Sequence, residues 1–534
     1  MSAVDRIACV GAGPGGLFFA TLAKTADPSR EVVVLDRNRP DDTFGFGVVF
    51  SDATLAGIHA ADPVVRTALQ EHGVHWDTIE VRLKGERLRC AGNGMAAIRR
   101  RTLLAVLRDR AREAGVRLEY ETEVDPAILH PDEYDLVVAG DGAGSRFREH
   151  LTEQLRPSFE VATAKFIWFG TSYPFEGLTF IHQRSEHGVF AVHGYPIGDG
   201  IGTFIVETDE PTWRAAGLDE FDVTQQPGPS DEKTKDYLEK LFAEQIDGHP
   251  LLTNSSRWAN FRTRRTARWS HGNVALLGDA AHTAHFSVGS GTKMAMEDAI
   301  ALSAALDRNP ADLAGALGDY ESVARPSVEK IQDSARPSLS WWENFGRYHD
   351  AFEPWQFGYH FLTRSISDQK LRRRDAGFVD SAHRAWTDTH GAEPLETPVD
   401  LGGREVPGRL LSVDADLTRV SYPAADAQAG DGTGGIVLAT EDPGQEAHPW
   451  GLLVTAPDEE ADVRATLDAA SAQLAAAPAF VAVHGGSPFT RVLVAEEMRL
   501  VHRMTTMLVE PGADRDRATT LVLSGRADLV GVPA

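Results

Sequence analysis

Cysteine is scarce: Cys9 and Cys90 are the only two in 534 residues. Neither sits in a CxxC pair or beside histidines at metal-ligand spacing, which argues against a disulfide framework and a zinc site. No metal is expected, and the reduced cytoplasm is the default compartment. Long apolar runs are also missing. No stretch reaches the ~18 apolar residues that a membrane-crossing helix requires, so no membrane partner is expected. Asp5 and Arg6 precede the first apolar run, without the basic-then-apolar layout of a signal peptide. Positive charge is in deficit, with 53 Lys and Arg against 78 Asp and Glu and a formal net charge of -25. Such a surface repels phosphate backbones and anionic lipids, so nucleic acid is not an expected partner. No internal repeat is present.

The chain is too long for one ordinary core, and its order of elements predicts an α/β protein of several domains. Arg6 to Val10 reads as a buried strand, followed by a glycine turn and a helix from Gly15 to about Ala26. Glu31 to Leu35 is a second strand ending at Asp36. That is a complete βαβ unit of the dinucleotide-binding kind. Thr43 to Phe50 reads as a loop, Arg101 to Ala114 as a helix and Asp135 to Ala139 as a strand. Lys165 to Gly170, Gly188 to Tyr195 and Thr203 to Thr208 are β-branched and aromatic between turn residues, which predicts an inserted antiparallel sheet. Val274 to Leu277 returns to the buried-strand pattern. A helical region follows from about Gly291 to Asn344, interrupted by Pro310, Pro326 and Pro337. Composition shifts beyond about Phe378. There, Ile436 to Ala439 and Leu452 to Thr455 read as strands and Glu459 to Ala477 as a helix. The expected domains are residues 1–160 with 271–390 for a Rossmann-type fold, 161–270 for the sheet that carries substrate, and 396–534 for a small C-terminal α/β domain.

Three separated motifs fit one site. Gly11, Gly13 and Gly16 permit a tight turn, a close backbone approach and a close helix contact. The helix N-terminus behind them offers free N–H groups to a diphosphate. Asp36, with Arg37 beside it, ends the second strand where a carboxylate can bond ribose hydroxyls. Gly430, Gly432 and Gly435 repeat the GxGxxG spacing, but after a polar loop and before a strand, and read as a loop. The second motif is Gly140-Asp141-Gly142 with Ser145 and Arg148. The third is Gly278-Asp279, then His282, Gly289, Gly291 and the pair Asp298-Ala299. Asp279 closes a strand and suits a ribityl hydroxyl. The glycine loop feeds a helix whose amides can face the pyrimidine edge of a flavin.

In this order the motifs resemble those of the single-component (group A) FAD-dependent aromatic hydroxylases, over roughly residues 4 to 385. The resemblance implies FAD as cofactor, NADH or NADPH as co-substrate, and hydroxylation of an electron-rich ring through a C4a-hydroperoxyflavin. It also implies that Arg100, Asp279 and the Gly289 to Lys293 loop contact the flavin, and that Asp141 belongs to the motif serving both FAD and nicotinamide. FGFGVVFSDATL (Phe44 to Leu55), FIWFGTSYPFEGLTFI (Phe166 to Ile181) and GDAAHTAHFSVGSGTKMAMEDAIAL (Gly278 to Leu302) resemble more narrowly the branch acting on salicylyl-CoA and 2-aminobenzoyl-CoA. His285 and Phe286 stand where many members have a proline pair, and Lys293 where many have asparagine. Pro398 to Leu411 and Leu521 to Val530 resemble the two ends of an Old Yellow Enzyme-type reductase domain. About 110 residues lie between, too few for a (β/α)8 barrel of ~250 residues. The tail then reads as a shrunken remnant without FMN, with a structural role.

A group able to hydrogen-bond the ring hydroxyl is the remaining catalytic need. His285 is the first candidate, with His193 and Tyr195 on a middle strand next. Trp168 and Phe204 read as core, and His282 as structural. Arg262, Arg264, Arg265 and Arg268 form a basic cluster that can receive CoA phosphates or serve as a solvated face. The shortened tail points away from the catabolic CoA role, leaving a CoA thioester and a phenol or hydroxypyridine with an acyl or polyketide tail both open. A flavin reductase or dehydrogenase, or a non-catalytic flavin-binding protein, are the alternative readings. A small aromatic substrate and a homo-oligomer are the expected partners.

Overall fold

The computed structural model describes residues 4–43, 45–127, 133–221, 230–289, 291–423 and 433–534. The chain divides into two compact units, Met1–Arg87 with Ala91–Gly346, and Leu88–Cys90 with Arg347–Ala534.

In the first unit, Arg6–Val10 lies between Glu31–Leu35 and Leu136–Ala139, parallel to both. Arg117–Glu119 and Val274–Leu276 extend this sheet on either side, and Ser270–His271 closes one edge. The three central strands are almost wholly buried. Apolar residues at successive positions are what a parallel sheet covered on both faces requires. The helices Pro14–Ala26 and Gly291–Arg308 pack on each other over it. Their contact is close, because a Cβ at Gly15 would meet the Leu277 side chain at 2.4 Å and the Ala295 carbonyl at 2.9 Å.

The inserted sheet runs Leu251–Leu252, Pro157–Thr171, Ile201–Thr208, Val189–Gly198, Leu178–Arg184 and Ile79–Leu83, with Ala259–Thr266 also paired to Pro157–Thr171. It is antiparallel except where Leu178–Arg184 meets Ile79–Leu83 in parallel. Register divides its residues between two faces. Trp168 pairs with Ile205, Ile205 with His193, and His193 with Phe180, so these four share one face. Ile167, Phe169, Ile181, Val192, Phe204 and Val206 alternate with them and form a core with Leu238, Phe242 and Ile246. Phe204 is therefore core, as expected, while Trp168 takes the other face.

Two local expectations change. Gly47–Ser51 is a strand, not part of a loop, and pairs antiparallel with Met95–Arg99. Val48 and Phe50 turn inward, and this alternation outweighs the flanking glycines. The helical region breaks only at 309–312, around Pro310. Leu313–Ala351 is one helix of 39 residues that contains Pro326 and Pro337. Each proline deletes one backbone donor, and packing of the apolar stripe carries the helix through.

In the second unit, Leu410–Val413, Arg419–Pro423, Thr433–Ala439, Trp450–Thr455, Phe480–His484, Thr506–Val509 and Leu529–Pro533 form a closed barrel. All neighbours are parallel except Arg419–Pro423, which is antiparallel to both of its own. Three strand–helix repeats are thus closed by a hairpin, which explains how a short tail still makes a barrel. Leu411, Ile436, Phe480, Met507 and Leu529 fill its interior. The helix Ala376–His390 belongs with this unit: Phe378, Val379, Ala382 and Trp386 share a core with Trp450, Leu452 and Leu521. The division accordingly falls at Gly346–Arg347 and not near residue 395. Of the second GxGxxG, Gly430 and Gly432 lie outside the described residues and Gly435 lies in a barrel strand.

Candidate active site

A cavity of about 400 Å³ in the first unit runs from the first glycine turn to the inserted sheet. Its lining joins all three motifs: Gly13, Gly15 and Gly16; Gly140 and Gly142; and Gly278, Asp279, Gly289, Gly291 and Lys293.

The glycines differ in what they do. Gly11 has φ +106°, and a Cβ there would stand 2.3 Å from the Gly140 carbonyl oxygen. A Cβ at Gly16 would stand 2.2 Å from the Gly11 carbonyl oxygen. These two let strand, turn and helix meet. A Cβ at Gly13 meets nothing within 4 Å, because that position looks into the cavity. Gly13 caps the helix with no side-chain hydrogen bond, Pro14 follows, and the first turn carries no acidic residue. The helix start is therefore left to bind an anion. Asp36 accepts from the Ala12 N–H at 2.6 Å and from the Asn38 N–H at 2.8 Å. It holds the turn in place and retains lone pairs for a further donor. Arg37 is exposed, and neither residue is part of the cavity wall.

Asp141 Oδ2 accepts from the Arg146 N–H at 2.8 Å, and its Oδ1 is buried without a hydrogen-bond partner. Burial raises its carboxyl above the ordinary range, against the pull of the Ser145 hydroxyl and nearby amides. Asp279 faces the cavity and is accessible there, yet is enclosed by protein on the outer side. Enclosure raises its carboxyl, with His282, Arg100 and Arg264 opposing. Burial lowers the Arg100 guanidinium, which Asp279 and Tyr195 in turn support. An unpaired acceptor at Asp141, a cavity-facing carboxylate at Asp279, an uncapped helix start and an open Gly13 are what a dinucleotide with hydroxyls and a diphosphate requires, and they fit FAD. His282 serves the frame: its Nε2 is 2.8 Å from Asp298 Oδ2, which also accepts from the Gly278 N–H at 2.9 Å. Gly289 is left-handed at φ +61°, turning the chain into the helix that starts at Gly291. Lys293 pairs with Glu297 at 2.9 Å.

The far wall is the sheet face set by register: Trp168, Leu178, Phe180, His193, Tyr195 and Ile205, with Phe261 and Phe286. His193 and Tyr195 line the cavity. Burial pushes the Tyr195 hydroxyl up to about 12, with Thr203 and Arg100 opposing. His285 does not line it and sits one layer behind, its Nδ1 2.8 Å from Ser287 Oγ. Sequence reading missed Glu207. It is 1% exposed, and its Oε1 is 2.6 Å from His193 Nε2 while its Oε2 is 3.9 Å from His285 Nε2. The one available signal was a carboxylate two residues from Ile205 in a strand with no other charged residue. The basic cluster divides: Arg264 donates to the Asp279 carbonyl and Arg265 to Gln332, while Arg262 and Arg268 are exposed. Among the described residues no helix is long and apolar enough to cross a membrane, and no group of His, Cys, Asp and Glu is placed to hold a metal.

A doubly wound sheet with this glycine turn, two Gly-Asp loops and an inserted sheet facing the same cavity defines an FAD-dependent flavoprotein oxidoreductase. A family model described as "FAD binding domain" matches residues 5–335. The chain is 56% identical over 529 residues to a salicyloyl-CoA 5-hydroxylase from a Streptomyces species, covering 98% of this chain and 99% of the relative. It is 38% identical over 336 residues to 3-hydroxy-4-methyl-anthranilyl-[aryl-carrier protein] 5-monooxygenase of Streptosporangium sibiricum, covering 63% of this chain and 88% of that one. Its fold is like the crystal structure of 2-methyl-3-hydroxypyridine-5-carboxylic acid oxygenase, with a TM-score of 0.51 and 19% identity over 68% of this chain and 98% of the other. The chain belongs to the single-component FAD-dependent aromatic hydroxylases, and it is a monooxygenase of aromatic rings. A relative named for a CoA substrate shares the whole chain, tail included. The shortened tail therefore does not set this chain apart from that role.

Proposed function

We propose that the chain hydroxylates the ring of an aromatic acyl-CoA thioester of the salicyloyl type, with NADH or NADPH as reductant. The observation that carries this reading is the single cavity that joins the glycine cradle to an aromatic sheet face. The full-length likeness to a relative named for salicyloyl-CoA supports a substrate of that type within the class.

FAD, when bound, supplies reduction by the nicotinamide and activation of dioxygen. The rest falls to the chain's own residues. Gly11, Gly13 and Gly16 with the start of the Pro14–Ala26 helix hold the diphosphate, and Asp36 the adjacent ribose. Asp279 and Asp141 take hydroxyls, and Arg100 and the loop from Gly289 to Lys293 contact the ring system. Trp168, Phe180, Ile205 and Phe286 sandwich the substrate ring and exclude water, which strengthens every polar contact made there. His193 and Tyr195 are the polar groups on that wall, placed to bond the ring hydroxyl.

The test is nicotinamide oxidation by the holoenzyme with salicyloyl-CoA, 2-aminobenzoyl-CoA, free salicylate, or no aromatic. A CoA thioester is expected to accelerate oxidation at least tenfold over the free acid, with a hydroxylated thioester as product. Equal rates with free acid and thioester would remove the CoA reading, and acceleration without a hydroxylated product would favour a reductase.

A further inference from the structure

We propose that Glu207 is a positioning residue for this reaction: it sets His193 as the base that takes the proton of the substrate's ring hydroxyl, and it stabilises the imidazolium that results. The proposal rests on the hydroxylase reading above and adds a residue that lies outside the cavity wall.

The sheet register brings the groups together. Glu207 lies two positions beyond Ile205 on the same strand, hence on the same face, and Ile205 pairs with His193 on the neighbouring strand. The carboxylate is 1% exposed, and its Oε1 lies 2.6 Å from His193 Nε2 as an ion-pair contact without hydrogen-bond alignment. A carboxylate at this depth needs a charged or hydrogen-bonded partner, since its desolvation is otherwise uncompensated. His193 in turn lines the cavity, so the pair has one end in the protein and one at the substrate. Trp342 lies against the imidazole, with ring centres 4.1 Å apart, and aromatic faces favour the cationic form. A carboxylate in contact with an imidazole favours the protonated ring and so makes it the stronger base.

The step balances simply. The ring O–H bond breaks and its electron pair stays on oxygen. The proton bonds to the unprotonated nitrogen of His193, and the imidazolium that forms lies beside the Glu207 carboxylate. The same proton returns to the product oxygen before release.

Charged groups face Glu207 from three elements. His193 approaches from its strand and His285 at 3.9 Å from the loop after the Gly-Asp motif; Glu343 acts from the long helix. Burial pushes the Glu207 carboxyl up to about 7, with His285 pulling it down and Glu343 adding to the rise. Since only the carboxylate supports the imidazolium, proton uptake is lost as pH falls through that value.

The experiment compares holoenzymes of the wild type, Glu207→Gln and Glu207→Asp with salicyloyl-CoA, from about pH 6 to pH 9.5. Two quantities are read: kcat and KM against pH, and, without reductant, the pH at which the bound phenol ionises, from its phenolate absorbance. General-base support is worth about 10²–10⁴-fold in rate. Glu207→Gln is expected to lower kcat at neutral pH at least tenfold with KM within about twofold, to recover as pH rises, and to ionise the bound phenol at higher pH. Glu207→Asp keeps the charge and should keep the wild-type profile at reduced height. If Glu207→Gln does not retain FAD, His193→Gln takes its place with the same expected profile. Parallel kcat–pH curves, or an unchanged pH of phenol ionisation, would overturn the proposal. A wild type that forms no hydroxylated product would instead overturn the function itself.

Discussion

At the scale of single residues, the cofactor cradle separates glycines that build the turn from one that faces the ligand. Gly11→Ala would place a methyl 2.3 Å from a carbonyl oxygen at φ +106°. It is expected to lower stability by about 2 kcal/mol or more, from strain of this kind, together with FAD binding. Gly13→Val projects into open cavity. It is expected to leave the melting temperature of the apoprotein within about 2 °C, a change of about 0.5 kcal/mol or less, while weakening FAD at least a hundredfold. Differential scanning calorimetry and a flavin-fluorescence titration on the two variants separate these effects. An apoprotein equally destabilised by both would contradict the distinction. Much of this was legible in the sequence, because βαβ spacing dictates where the glycines and Asp36 fall. Glu207 was not, because a lone carboxylate in a strand gains meaning only when its register partner is known.

At the scale of elements, period-two alternation in the inserted sheet decides which aromatic residues stabilise and which meet substrate. Phe204 is fully buried in the core behind the sheet, so Phe204→Ala is expected to cost about 3–5 kcal/mol. Its neighbour Ile205 lines the cavity, and Ile205→Ala is expected to raise KM for the thioester severalfold with a smaller loss of stability. Urea unfolding and steady-state kinetics on the pair check this, and a reversed order of effects would mean that the register is wrong. The sequence showed that these strands exist but not which face was which, since both faces carry large aromatic and aliphatic residues. It also led to a loop at Thr43 to Phe50 and a helix broken at Pro326 and Pro337. In both places tertiary packing overrode local signals, through pairing of Gly47–Ser51 with Met95–Arg99 and burial along the 39-residue helix.

At the scale of the whole molecule, the tail was legible by its two ends but not by its closure. Its residues were too few for an eight-fold barrel, and nothing local announced that Arg419–Pro423 would run antiparallel and seal the gap. The second unit also contains a buried charged cluster that makes its stability depend on pH. Burial opposes the charge on Glu496, but His360, Arg526 and the Tyr348 hydroxyl hold it down to about 2. Burial, then Arg526, lowers His360 to about 4 despite Glu496. The unfolded chain takes up a proton at His360 from about pH 6.5 downward, whereas the folded unit resists until about 4. Stability is therefore expected to fall with pH over that range, and Glu496 extends the loss from its ordinary value down to about 2. Circular dichroism melts between pH 8 and pH 4 should show a plateau above about pH 7 and a decline below it, and rising stability on acidification would contradict the assignment.

The most direct measurement is the origin of the oxygen in the product. Holoenzyme turned over with salicyloyl-CoA, NADH and ¹⁸O-labelled dioxygen is predicted to yield a hydroxylated thioester carrying one ¹⁸O on the ring, in step with nicotinamide consumed. Nicotinamide oxidation that yields only hydrogen peroxide with every aromatic thioester, or a ring oxygen derived from water, would contradict it.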